Sequence, residues 1–283
     1  YAAGVYGYNY KDIGNTSYLQ IDNDYIGYNS KFDLAPIEIM RTTVGHEYFH
    51  GIQWGYEENL GSNAYFYEMT SMWFEDVLIP DGNDYLDGWA DDLLDDPTAD
   101  FDNTGSGYEL AFFGHYLSSF LDSKGIETAK NSTIIREMWE RYGSASSNAL
   151  FAVEYVLENN YDISFIDAWT DFISRNLYNG IDNNFYYYSD QVLIDPIQTL
   201  TILIDDSVRM ELELDDQSVE IESYRIGDIK SRLSINHHQD NFIGRVAIIS
   251  RTNQDNNIFF WSTDTTIIED YSDVEIHFVY GLN

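Results

Sequence analysis

The spacing of apolar positions changes along the chain. Through about residue 185 they recur at helical intervals broken by turn residues, and beyond about 190 they fall in short β-rich runs. Residues 17–28 (SYLQIDNDYIGY) alternate as a strand and its turn. Pro36 stands where a helix begins, and the pattern predicts a helix from there to about Trp54, stopped at Gly55. A second helix is predicted from Ala64 to Leu78, ended by Pro80, and a third over Tyr108–Leu121. Ser132 reads as the N-cap of a fourth that ends near Gly143. Two more cover Asn148–Asn159 and Phe165–Asn176, the last opening with Ser164 and Asp167 at capping-box spacing. The runs TLTILID, MELELD, SVEIESYRI, GRVAIIS, NIFFW and VEIHFVY, separated by Asp, Asn, Gly and Ser, predict an all-β sandwich. The expected fold class is α+β. A helical domain with a small N-terminal sheet spans 1–189, and a sandwich-like β domain spans 190–283.

Composition supports a globular chain. Of 283 residues 44% are hydrophobic and 16% aromatic, enough for a core. Lys and Arg total 14 against 49 Asp and Glu, a formal charge of −35. Such a surface repels phosphate backbones and anionic lipid, which argues against nucleic-acid binding. No apolar run approaches the ~18 residues of a membrane span, so no membrane insertion is expected. The absence of cysteine removes disulfides, Cys–zinc sites and thiol nucleophiles together. The chain begins at Tyr1 rather than Met, from which we expect a secreted protein with its leader upstream, and a monomer. Between Asp81 and Asn103 stand nine Asp and no Lys or Arg. This reads as a solvated acidic loop with at most a short helix inside, with bound Ca²⁺ as the alternative, although EF-hand spacing is missing.

The informative chemistry is His46-Glu47-Tyr48-Phe49-His50, an HExxH motif. On a helix, positions i and i+4 share a face, so two imidazoles there can hold one Zn²⁺ at ~2.0–2.1 Å. Glu47 is offset by one residue, close enough to serve as general base. Catalytic zinc takes a third protein ligand. The pattern that supplies a His six residues beyond the motif fails, because Gln53 and Tyr56 occupy those positions. The alternative is an acid on the next helix, where Tyr65-Phe-Tyr-Glu68 leads to Trp73-Phe-Glu75-Asp76. Glu68 suits a short helical hairpin, and Glu75, two turns on, is the competing ligand.

HEYFH, the spacing to Glu68 and the YEMTSMWFED stretch resemble the gluzincins, zinc peptidases of the thermolysin and aminopeptidase-N type. In particular they are similar to secreted bacterial and archaeal members with an HEYFHxIQ helix. The resemblance covers about residues 17–120, and Met69-Thr70-Ser71 replaces the Gly-Phe-Ala of the family pattern. It implies that His46, His50 and Glu68 bind zinc and that Glu47 is the base. Glu75 then orients His46 or His50, with Asp76 a further candidate and a solvated helix face the alternative for both. The resemblance also implies an oxyanion donor on the downstream helix. Tyr108 and His115 are the candidates, each with core packing as its alternative. A peptide or protein substrate is expected along a strand edge near Gln20–Tyr25. No aminopeptidase-type GxMEN stretch is present, which favours endopeptidase action. The rival reading is a binding or adhesion module with a structural zinc. His237-His238 reads as a surface turn, since neighbours on a strand point to opposite faces.

Overall fold

The computed structural model describes residues 6–12, 16–25, 34–57, 63–86, 89–97, 99, 101–103, 106–122, 131–145, 148–198, 201–203, 219–228, 232–235, 242–250, 256–260, 266–269 and 272–282. The chain forms two compact units. One comprises Tyr1–Leu93 and Asp102–Asp162, the other Leu94–Phe101 and Ile163–Asn283.

The first unit opens with an antiparallel pair, β1 (Gly7–Lys11) and β2 (Ser17–Ile21), in which Gly7 stands opposite Ile21. The Tyr10 and Tyr18 rings stack across the pair at 5.1 Å. Helix α1 (Pro36–Gln53) starts as its sequence predicts, with Pro at the first turn and Glu38 Oε2 accepting from the Ala35 amide at 2.9 Å. Its inward stripe is Ile39, Thr42, His46, Phe49 and Gln53, at spacings of three and four. Helix α2 (Ala64–Leu78) runs antiparallel to it, pairing Gly45 with Leu78, His46 with Glu75 and Gln53 with Tyr67. Helix α2 is buried nearly all round, because α1 covers one side and downstream helices cover the other.

A short helix, α3 (Trp89–Asp95), interrupts the acidic stretch. The expected third helix is divided into a 3₁₀ turn at Tyr108–Leu110, α4 (Ala111–His115) and a π-helical turn at Tyr116–Leu121. Ser118 sits in the π-helical turn. Its hydroxyl bonds back to the Gly114 carbonyl at 2.8 Å while accepting from Trp73 Nε1 at 2.8 Å. Helix α5 (Ile134–Ala145) is capped mainly by Asp122, whose Oδ2 accepts from the Thr133 and Ile134 amides and the Ser132 hydroxyl. Ser132 therefore shares the cap expected of it alone. Helix α6 (Ala149–Asn160) follows, capped by Asn148.

The second unit contains α7 (Phe165–Asn176), whose cap Ser164 accepts from the Asp167 amide at 3.1 Å. Its strands are β3 (Thr201–Leu203), β4 (Val219–Asp228), β5 (Arg232–Ile235), β6 (Phe242–Ser250), β7 (Asn256–Phe260), β8 (Thr266–Glu269) and β9 (Ser272–Leu282). They form a five-stranded sheet of order β3-β4-β9-β6-β7 and a two-stranded β5-β8 ribbon. All pairs are antiparallel except β3 with β4. The composition changes at 189/190, but packing divides the chain at Asp162/Ile163, because α7 lies on β4, β6 and β9. The MELELD run and His237-His238 lie outside the described residues. Among the described residues no helix is long and apolar enough to cross a membrane.

Candidate metal centre

The α1–α2 pairing brings the HExxH residues to an acid. His46 and His50 lie one turn apart on α1, their rings edge to face at 4.7 Å. Glu68, one turn into α2, points Oε2 between them, 3.0 Å from His46 Nε2 and 3.5 Å from His50 Nε2. The ligand atoms of these three residues lie within 4.8 Å of one another, so the group can hold a metal ion. A cation bound tetrahedrally at ~2.0–2.2 Å holds its ligand atoms roughly 3.4 Å apart, and the two measured contacts straddle that spacing. Two imidazoles and one carboxylate suit zinc and neighbouring divalent transition metals.

Glu75 is not part of the converging group. Its Oε1 sits 2.6 Å from His46 Nδ1, the ring nitrogen remote from Glu68. It lies seven positions beyond Glu68, two turns along the same face, and is 5% exposed. His50 has a different partner. Gln53 Oε1 lies 2.7 Å from its Nδ1, and Ser71 Oγ lies at 3.2 Å. In the sequence Gln53 stands out only as a missing third histidine. The signal available was its position, three residues beyond His50 on the same helix face.

Electrostatics follow from this crowding. Burial opposes a charged His46, but hydrogen bonds and charges from Glu68 and Glu75 outweigh it and push its pKa from 6.5 up to about 10. Burial likewise opposes a charged Glu68, yet its hydrogen bonds to His46 and His50 bring it from 4.5 to about 2. The proton between His46 and Glu68 thus stands where a cation would. Burial raises the Glu47 pKa, and the nearby His46 and His50 only partly counter this. A carboxylate shifted upward is better matched to taking and returning a proton near neutral pH.

Glu47 is located by the strand pair. The Asn9 side chain donates to the Glu47 carbonyl at 2.6 Å and accepts from Trp54 Nε1 at 3.2 Å, tying β1 to α1. Gly7 lies against Glu47 itself, where a Cβ would come within 2.9 Å of Glu47 Cγ and 2.7 Å of Thr43 Cγ2. The strand beside the candidate base is therefore β1, which the sequence pattern did not single out. Of the expected Gln20–Tyr25 edge, Gln20 and Ile21 belong to its partner β2.

Of the two candidate oxyanion donors, the structure brings Tyr108 to the site. Its ring meets His46 edge-on at 5.8 Å, and its hydroxyl lies within reach of the Glu68 charge. Burial and the Glu68 charge raise its pKa, so the hydroxyl stays protonated as a donor. Gly107 makes this possible. It adopts a φ of 89°, and a Cβ there would overlap the backbone of Tyr65 on α2. His115 is not brought to the group. It is 1% exposed, with Nε2 3.5 Å from Asp76 Oδ2 and its ring beside Tyr85. Burial lowers its pKa to about 3, as for a neutral core imidazole. Asp76 accordingly faces His115, not His46 or His50.

In the acidic stretch, Asp87 and Asp100 lie outside the described residues. Among the described residues no other group of three His, Asp or Glu converges as His46, His50 and Glu68 do. No protein-family model, curated protein or solved structure matches the chain.

Proposed function

We propose that the protein is a zinc-dependent peptidase of gluzincin type that cleaves internal peptide bonds. The convergence of His46, His50 and Glu68, with Glu47 one residue along the same helix, is the observation that carries this reading. A zinc ion there supplies Lewis-acid polarisation of a carbonyl and acidifies water. The Glu47 carboxylate takes a proton from the attacking water and returns it to the leaving amine. The Tyr108 hydroxyl, kept protonated beside Glu68, donates to the developing oxyanion. Glu75 holds the His46 ring through Nδ1, leaving Nε2 aimed at Glu68, where it would be free to bind an ion. The five-stranded sheet and the β5-β8 ribbon are read as the layers of a sandwich-like accessory module.

The test is cleavage of a peptide library by the untreated protein, by chelator-treated protein and after zinc is restored. Internal cleavage that disappears on chelation and returns with zinc supports the proposal. Stoichiometric zinc with no cleavage of any peptide favours the binding-module reading instead.

A further inference from the structure

We propose that Gln53 is a positioning residue that fixes which ring nitrogen of His50 faces the metal. This rests on reading His50 as a ligand. Gln53 is 0% exposed, and its two amide atoms face opposite ways. Nε2 lies 2.9 Å from the Tyr67 carbonyl oxygen. A carbonyl can only accept, so the amide nitrogen must be on that side. Nε2 also lies 2.9 Å from Thr70 Oγ1. The Thr70 hydroxyl spends its own proton on the Phe66 carbonyl at 2.9 Å, so here it accepts. Trp139 Nε1, a donor only, approaches the same oxygen at 3.2 Å. The amide orientation is thus dictated by the Tyr67 carbonyl and the Thr70 hydroxyl, with Ser71 Oγ a third partner of Nε2 at 3.1 Å.

What remains is Oε1, which faces His50 Nδ1 at 2.7 Å and can only accept. The proton of a neutral His50 must therefore sit on Nδ1. In the metal-bound form its lone pair is then left on Nε2, the atom 3.5 Å from Glu68 Oε2. One face of α2, through Tyr67 and Thr70, so selects the tautomer of a histidine on α1. The two ligating histidines are held by different chemistry, His46 by the Glu75 carboxylate and His50 by a neutral amide.

The two ends of the Gln53 side chain can be separated experimentally. Gln53→Met removes both. It has room, because Gln53 borders a largely apolar cavity of about 450 Å³ between α1, α2 and α5, lined also by Phe49, Ile52 and Trp139. Gln53→Glu keeps an oxygen acceptor toward His50 and loses the amide donor to Tyr67. Zinc affinity is measured by chelator competition on the full chain. We expect Kd to rise roughly 10–100-fold in Gln53→Met and to stay within a few-fold of the parent in Gln53→Glu. A purely structural Gln53 would lower the Tm of both variants and leave zinc affinity unchanged in Gln53→Met, which would overturn the proposal. Nitrogen-15 NMR of His50 in the zinc-loaded parent gives a test that needs no variant. A proton on Nδ1 with Nε2 ligated is expected, and the reverse assignment would also overturn it. A parent that takes up no zinc refutes the metal-centre reading beneath it, a different outcome from zinc bound with Gln53 indifferent.

Discussion

The Glu75 carboxylate lies 2.6 Å from His46 Nδ1, on the side of the ring away from Glu68. It thereby holds the ring with the opposite nitrogen toward Glu68, and on the proposed function this would make that nitrogen a better metal donor. Glu75→Ala should raise the zinc Kd roughly 10–100-fold, because partners of this kind orient the ligand they touch. Glu75→Gln should lose less, since an amide oxygen still accepts from Nδ1. Chelator competition on the three proteins measures the order.

Proton linkage at His46 has a definite sign. In the metal-free protein its pKa stands at about 10 against 6.5 unfolded, so it stays protonated at neutral pH, and zinc must displace that proton. Apparent zinc affinity should therefore fall about tenfold per pH unit lost below 10 from this group alone. Calorimetry in buffers of different ionisation enthalpy reads the proton released. The same shift stabilises the metal-free fold below pH 6.5, and that contribution fades as pH rises through about 10. Glu68, lowered from 4.5 to about 2, stabilises the fold above 4.5 and loses its contribution as pH falls through about 2. Melting curves of chelated protein should show this pair of groups contributing most between pH 4.5 and 6.5.

Tyr108→Phe deletes one hydroxyl. It should lower kcat by about 10²–10³ with KM and zinc content little changed, as for loss of one oxyanion donor. Gly107→Ala acts on the same hydroxyl indirectly. The positive φ of Gly107 and its approach to Tyr65 predict destabilisation of about 1–3 kcal/mol together with a loss of turnover. Steady-state kinetics with thermal melts separate the two.

How much of this was legible in the sequence depended on how local each signal is. Pro36 and the HExxH spacing mark α1, and Glu68 falls on a helix that Pro80 ends, so the convergence of His46, His50 and Glu68 follows from one helical hairpin. The Gly7–Glu47 contact was not legible, because it needs β1 paired with β2 and both laid on α1. The π-helical turn after His115 was hidden too; it carries the Ser118 hydroxyl that Trp73 reaches across 45 positions. His115 was ambiguous for a related reason. Its place beside Asp76 is set by Gly114 packing on Trp73, which local periodicity does not report. Exposed apolar residues Ile37, Met40, Val44, Tyr48 and Ile52 on α1 further blurred which face is buried.

Glu47→Gln should retain zinc at parental stoichiometry while peptide cleavage falls by about 10²–10⁴, the usual contribution of a proton-transferring side chain. Metal analysis and a cleavage assay on one preparation check both halves.

X-ray absorption at the metal edge of the zinc-loaded protein tests the centre most directly. Two imidazole nitrogens at ~2.0–2.1 Å, one carboxylate oxygen at ~2.0–2.2 Å and one solvent oxygen are predicted, with an imidazole lost in His50→Ala. A shell of oxygens alone, or one unchanged by His50→Ala, would contradict the account.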